Sequence, residues 1–261
     1  MEDGLFTASV KRVYKALMRF SLIIPAWNEE AFLPQTLTSI TAVMRQLEYK
    51  GVHQGELIVV DNNSSDHTAD IAKQFGALVA FEPVNQIARA RNRGAQIATG
   101  DCLIFLDADT CCSEKLLEHV LNKLSSGIVV GGGSTVAADR EIPRMAMRVI
   151  QFWNWLGCKA KLAAGCFVYC RRDAFDAVGG FSDRVYAGEE IFLSRLLKRW
   201  GKQNNMTFDI VSIDPVITSA RKLEWYSPMQ LARQVLLMLI PGAVFSKRLC
   251  RTWYDTNSKR E

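Results

Sequence analysis

The sequence predicts an α/β fold in which a mostly parallel central sheet is flanked by helices. Three observations carry this. Apolar runs of strand length alternate with segments of helical length through residues 20–110. The runs are apolar at consecutive positions, the pattern of strands buried on both faces. Three of them stop abruptly in polar or acidic residues. Such alternation implies parallel strands joined by crossover helices.

Taken in order, Phe20 to Pro25 is the first strand, and a helix follows from about Glu29 to Leu47. Glu56 to Asp61 is the second strand. Asp66 is placed to cap a helix that runs to Phe75 and ends at Gly76. Ala77 to Phe81 is a third strand, and Gln86 to Ala98 is helical, with Gly100 as its stop. Cys102 to Leu106 is the fourth strand. Asp107-Ala108-Asp109 follows it, with Asp109 a candidate cap for a helix starting near Ser113.

The second part is less regular. Gly127 to Val136 reads as a strand through Gly131-Gly132-Gly133, and Glu141 to Lys161 as a helix rich in Trp, Phe and Met. Ala164 to Cys170 is a strand, Gly179-Gly180 a break, Glu189 to Trp200 a helix and Thr207 to Ile213 a strand before Asp214-Pro215. Trp153 and Trp155 belong first to a core; with Trp27 and Tyr186 they are also candidates to stack on a sugar.

Charge is unevenly placed. Residues 221–261 carry eight basic and three acidic side chains, and residues 1–19 four and two, so both ends are basic around a near-neutral body. This argues against a nucleic-acid surface on the body and allows basic ends at an anionic membrane. Gln234 to Ser246 carries no charge, but is shorter than the about 20 apolar residues that span a bilayer. It reads either as an interfacial helix pair or as helix packed on the domain. Seven cysteines without zinc spacing, and no apolar signal segment at the start, read as a reduced cytosolic protein, peripheral to a membrane if the tail binds one.

The chemistry gathers at the strand ends. Pro25-Ala26-Trp27-Asn28-Glu29-Glu30, Asp61 to Asp66 and Asp107-Ala108-Asp109 follow strands one, two and four. In a parallel sheet all three lie on the C-terminal edge, where ligands of open α/β sheets bind. Two Asp residues one apart can share a hard divalent cation that also takes phosphate oxygens. Read alone, the pair is equally a polar turn. No GxGxxG or GxxxxGK[ST] loop is present, so a diphosphate needs another counter-charge. A cation on the Asp pair supplies one, and Arg89, Arg91 and Arg93 are candidates to help; Arg89 and Arg93 share a helix face and Arg91 lies away from it.

The pieces SLIIPAWNEE, ELIVVDNNSSDHTADIA, ARARNRGAQIATGD, CLIFLDADT and GGFSDRVYAGEEIFLSRLLKRWG together resemble a family 2 glycosyltransferase of the GT-A fold, a Rossmann-like architecture. The resemblance covers about residues 20–200. It implies transfer of a sugar from a UDP- or GDP-linked nucleotide sugar, with Mg²⁺ or Mn²⁺ at a DXD motif holding the diphosphate. By position it implies that Pro25, Asn28 and Glu29 line the nucleotide pocket and that Asp61 contacts base or ribose. Arg91 approaches the nucleotide, with Asn92 and Gly94 shaping a turn beside it. Asp107 faces sugar and ribose and Asp109 binds the metal. The family's acidic pair falls on Glu189-Glu190, and Glu190, where Asp is usual, is the general base of an inverting transfer.

The late metal-binding His of many GT-A enzymes is missing. His53, His67 and His119 all come early and are read as bland. Water or Asp214 is the candidate third ligand, and Arg221 or Lys222 a candidate phosphate contact. The expected organisation is a basic segment 1–19, a transferase domain 20–220 with nucleotide half 20–110 and acceptor half 111–220, and a helical tail 221–261. The acceptor is a saccharide, a lipid carrier or a small metabolite. A retaining transferase on the same fold and a non-catalytic nucleotide-sugar-binding protein are the alternatives. A nucleotidyltransferase fits less well, because Pro25 to Glu30 has no glycine.

Overall fold

The computed structural model describes residues 18–51, 53–221, 243–246 and 249–250. The N-terminal basic segment and most of the C-terminal tail lie outside the described residues.

One eight-stranded sheet organises the chain in the order β3-β2-β1-β4-β7-β6-β8-β5. The first half is β1 (Met18–Ala26), α1 (Leu33–Tyr49), β2 (His53–Asp61), α2 (Thr68–Gln74), β3 (Leu78–Phe81), α3 (Ile87–Ile97) and β4 (Cys102–Leu106). The second is β5 (Thr110–Cys111), α4 (Glu114–Ser125), β6 (Val129–Ala138), α5 (Arg144–Ala160), β7 (Phe167–Arg171), α6 (Arg172–Val178), α7 (Glu189–Gln203) and β8 (Thr207–Thr218). The pairs β3–β2, β2–β1, β1–β4 and β6–β8 are parallel, while β7 and β5 pair antiparallel to their neighbours. The expected mostly parallel sheet is therefore present. β1, β2 and β4 sit side by side and parallel, so their three polar ends share one edge.

Period-two alternation splits the core into two layers. Leu22, Ile24, Ile104 and Leu106 point to the face covered by α1 and α4, where Leu37, Ile40, Leu117 and Val120 meet them. Ile23, Leu103 and Phe105 point to the other face, under α3, α6 and α7. All eleven of these side chains are buried, and each contributes about 1.5–3 kcal/mol against exposure. Gly94 lets α3 lie close on the sheet: a Cβ there would come 2.3 Å from Ile23 Cγ2. Asn92 and Gly94 are therefore inside a helix, not at the expected turn.

Four differences from the sequence reading bear on the candidate site and its surroundings. α1 begins at Leu33, not Glu29, because Asn28 takes a left-handed φ of 52° and Pro34 enters the first turn; Glu29 and Glu30 lie in the preceding loop. Ser113, not Asp109, caps α4, its side chain accepting from Leu116 N. β7 starts at Phe167 rather than Ala164, because the carbonyls of Gly165 and Cys166 turn to Arg91 and Asp107 N. β8 does not stop before Asp214-Pro215 but runs to Thr218. The register against β6 shifts between Ser134 and Val136, opposite the stretch holding Pro215. A bulge tolerates a residue without an N–H.

The Trp- and Phe-rich helix is not core. Of α5, only Gly157 is buried. Asn154 fastens the helix to β6 by accepting from Val136 N and donating to Val136 O, both at 2.9 Å. All seven cysteines are free thiols, and no described helix is long and apolar enough to cross a membrane.

Candidate active site

The loops after β1 and β2 are stitched together. Asn28 Oδ1 accepts from Ser65 N at 2.8 Å, and Asn28 N donates to Ser64 Oγ at 3.0 Å. Glu29 N donates to Thr68 Oγ1 at 2.8 Å. Pro25 is buried in β1 opposite Val60, and Asp61 ends β2 with Oδ1 accepting from Ser64 N at 3.0 Å. Asp66 accepts from Thr68 N at 3.0 Å, but α2 starts at Thr68 behind His67, so Asp66 sits one position before the cap that the sequence assigned to it. These contacts fix the two loops against each other at the C-terminal edge of the sheet.

Arg91 is the centre of the site. It projects from α3 and is 1% exposed. Nη1 donates to Glu189 Oε1 at 2.6 Å, and Nη2 to Asp107 Oδ1 at 2.9 Å and to Gly165 O at 2.6 Å. The guanidinium carbon lies 5.2 Å from the Phe181 ring centroid. Burial opposes its charge, but the carboxylates of Asp107 and Glu189 outweigh this and raise its pKa. Arg91 therefore reaches a ligand only through Asp107. Arg89 pairs instead with Asp183 at 3.3 Å and Arg93 faces solvent, so neither joins it.

Glu189 and Glu190 open α7 behind Gly188, which has φ 75°. Glu189 is buried on Arg91. Glu190 lies over Gly165, where a Cβ would sit 3.4 Å from its carboxyl carbon. Burial first, and the neighbouring Glu189 charge second, push the Glu190 carboxyl up to about 8. Beside the pair, Tyr186 N donates to Val244 O at 2.8 Å, and Phe245 contacts Phe192 with ring centroids 6.1 Å apart. The described part of the tail thus packs against the loop leading into α7.

Asp109 is reached from the far end of the domain. Thr110 pairs with Thr218, and Ser219 N donates to Asp109 O at 3.2 Å. This short ladder brings Arg221 over the edge. Its guanidinium binds Glu29 through both terminal nitrogens, at 2.7 and 2.5 Å, and lies 3.0 Å from Asp109 Oδ2. It also stacks 4.4 Å above the Phe32 ring centroid. Phe32, Phe181 and Gly165 were not singled out by sequence; each acts by position alone, and none carries a motif.

Asp107 and Asp109 offer hard carboxylate oxygens, which fit Mg²⁺ or Mn²⁺. Among the described residues no third His, Cys, Asp or Glu joins them. A cation would complete its shell from diphosphate oxygens and water. Asp214, the candidate third ligand, is elsewhere: Ser113 Oγ donates to its Oδ2 at 2.5 Å, at the head of α4. Lys222 lies outside the described residues.

The model of glycosyl transferase family 2 matches residues 21–179, more than half of the chain and the polar ends of β1, β2 and β4. The chain belongs to glycosyl transferase family 2. This family 2 member is 27% identical over 207 residues to glycosyltransferase AglE of Haloferax volcanii, covering 75% of the chain and 66% of the relative. It is 28% identical over 195 residues to the probable glycosyltransferase YdaM of Bacillus subtilis, covering 66% of the chain and 45% of the relative. It thus spans about two thirds or less of the curated relatives it matches. Its fold is that of the GT-A transferases. Mannosyltransferase PcManGT from Pyrobaculum calidifontis, in complex with GDP-Man and Mn²⁺, superposes with a TM-score of 0.62 at 19% identity, over 91% of this chain and 69% of that one.

Proposed function

We propose that this family 2 chain transfers a sugar from a UDP- or GDP-linked donor to an acceptor hydroxyl, with inversion at the anomeric carbon. The observation that carries the reading is the Glu190 carboxyl, raised to about 8, at the head of α7 beside the Arg91–Glu189–Asp107 cluster. A base whose pKa lies near working pH is the group such a transfer needs. PcManGT, with GDP-Man and Mn²⁺, supports the donor class.

In this reading Glu190 takes the proton of the acceptor hydroxyl. The acceptor oxygen bonds to the anomeric carbon as the bond to the nucleoside diphosphate breaks, and the diphosphate leaves with the electron pair. Asp61, Asn28, Glu29 and Pro25 form the nucleotide side, and Asp107 orients sugar and ribose. Asp109, with Asp107, would hold the divalent cation, which when bound neutralises the leaving diphosphate. Arg221 adds a second positive charge beside Asp109. Arg91 holds the Glu189 and Asp107 carboxylates in place beside Glu190.

The test is a donor screen by thermal shift with UDP- and GDP-sugars, with and without Mn²⁺, followed by NMR of the early product. A metal-dependent shift and an inverted anomer are expected. A retained anomer removes the base role of Glu190, and binding without transfer to any acceptor supports the non-catalytic alternative.

A further inference from the structure

The helix α5 carries an apolar stripe that points away from the protein. Met145 is 69%, Val149 57% and Phe152 60% exposed, and Leu156 is half-buried. Their spacing of four, three and four residues puts them on one face. The opposite face holds Asn154, which is fastened to Val136, and Gly157, the one buried residue of the helix. On the flank of the stripe Trp155, 56% exposed, stacks on Phe152 with ring centroids 5.8 Å apart. Packing against the described residues therefore does not explain these side chains.

Charge says what does. From Ile142 to Cys170 the chain carries Arg144, Arg148, Lys159 and Lys161 and not one Asp or Glu. Arg148 and Lys159 lie beside the stripe on the same side as Trp155, by helical spacing. An apolar stripe with aromatic residues and basic flanks is the pattern of a helix lying in the plane of an anionic lipid surface. A second copy of this chain is the poorer occupant. It would bring like charges together. The stripe is also small: at about 1.5 Å rise per residue, Met145 to Leu156 spans about 16 Å, which by a helix width of about 10 Å is on the order of 200 Å², far below the about 800 Å² per partner of a stable interface.

We propose that α5 is a membrane-docking helix, seating Met145, Val149, Phe152 and Trp155 at the surface of an anionic bilayer. The polarity of the fold makes this useful. α5 ends at Ala160, and the chain then passes through Ala163, whose N–H donates to Ser194 Oγ at 3.2 Å, to Gly165 under Glu190. Docking by α5 brings the acceptor side of the edge close to the lipid headgroups. In sequence this is a different segment from Gln234 to Ser246, which the charge pattern suggested.

The experiment is co-sedimentation of the full chain with vesicles of phosphatidylcholine alone and of phosphatidylcholine with an equal part of phosphatidylglycerol. The wild type is expected to pellet with the anionic vesicles at least ten-fold more than with the neutral ones. M145S/V149S/F152S is expected to lose at least ten-fold of that binding with an unchanged melting temperature. R148E/K159E, which leaves the stripe intact, is expected to lose several-fold at low salt. Binding that survives in both variants overturns the proposal, as does a wild type that ignores anionic vesicles. A wild-type dimer that M145S/V149S/F152S dissociates, without vesicle binding, assigns the stripe to a second copy and also overturns it. None of these readouts depends on sugar transfer.

Discussion

Arg91 and Glu189 are 98 positions apart in sequence and 2.6 Å apart in space. With the second arm of the guanidinium on Asp107, one buried cation joins the end of β4 to the helix that carries the proposed base. This buried charge cannot be removed without leaving the buried Glu189 carboxylate uncompensated and stripping the part-exposed Asp107 of its partner. Arg91→Ala is expected to destabilise the fold by about 3–5 kcal/mol, a fall of roughly 10 °C in a domain of this size. Thermal denaturation by circular dichroism checks it. Arg89→Ala, at a solvent-exposed pair, is expected to cost about 1 kcal/mol or less.

Arg221 occupies the Asp109 and Glu29 carboxylates. A divalent cation arriving at Asp109 must compete with it. Arg221→Gln is expected to tighten Mn²⁺ binding in the absence of nucleotide about ten-fold and to weaken UDP or GDP binding by a similar factor. Electron paramagnetic titration of free Mn²⁺ and calorimetry of nucleotide binding read the two separately. If both affinities stay unchanged, Arg221 has no part in diphosphate recognition.

The Glu190 carboxyl, raised to about 8, is mostly protonated at neutral pH. As a base it works deprotonated, so kcat/KM is expected to rise with pH on a limb centred near 8. Glu190→Gln is expected to lower turnover at least 10³-fold while donor binding persists. Wild-type turnover in that variant removes Glu190 from the mechanism.

The same shift has a stability consequence. Glu190 is harder to ionise folded than unfolded, so its contribution is fully present below the ordinary carboxylate pKa and is lost as pH rises through about 8. Glu190→Gln removes that loss. Its melting temperature relative to wild type is expected to climb from pH 5 and to level off above about pH 8. A pH-independent difference between the two proteins contradicts burial as the source of the shift.

Gly94 faces Ile23 where a Cβ would come within 2.3 Å. Gly94→Val is expected to push α3 off the sheet and cost about 1–3 kcal/mol as an overpacked core. Because Arg91 rides on the same helix, donor affinity should fall with stability, which urea denaturation and nucleotide titration test together.

Much of the site was legible because it is local. Asp107 and Asp109 follow an uninterrupted apolar strand, and Asp61 ends another. Adjacent parallel strands put such ends on one edge whatever the remaining packing. The errors arose where long-range contacts overrode local signals. Asp214-Pro215 reads as a strand end, yet pairing with β6 and β5 carries β8 past it to Thr218. The tryptophans of α5 read as core, because apolar spacing says which side chains share a face but not what that face meets.

By itself, the sequence determined the α/β layering, the shared edge of strand ends and a helix that starts at Glu189. These follow from periodicity and from residue types that act within a few positions of one another. Only the tertiary structure decided the pairing of Arg91 with Glu189 and Asp107, and the arrival of Arg221 at Asp109 over 112 positions of chain. Ion-pair partners are chosen by distance in space. That distance is set by sheet order and strand register, which no local pattern of residues records.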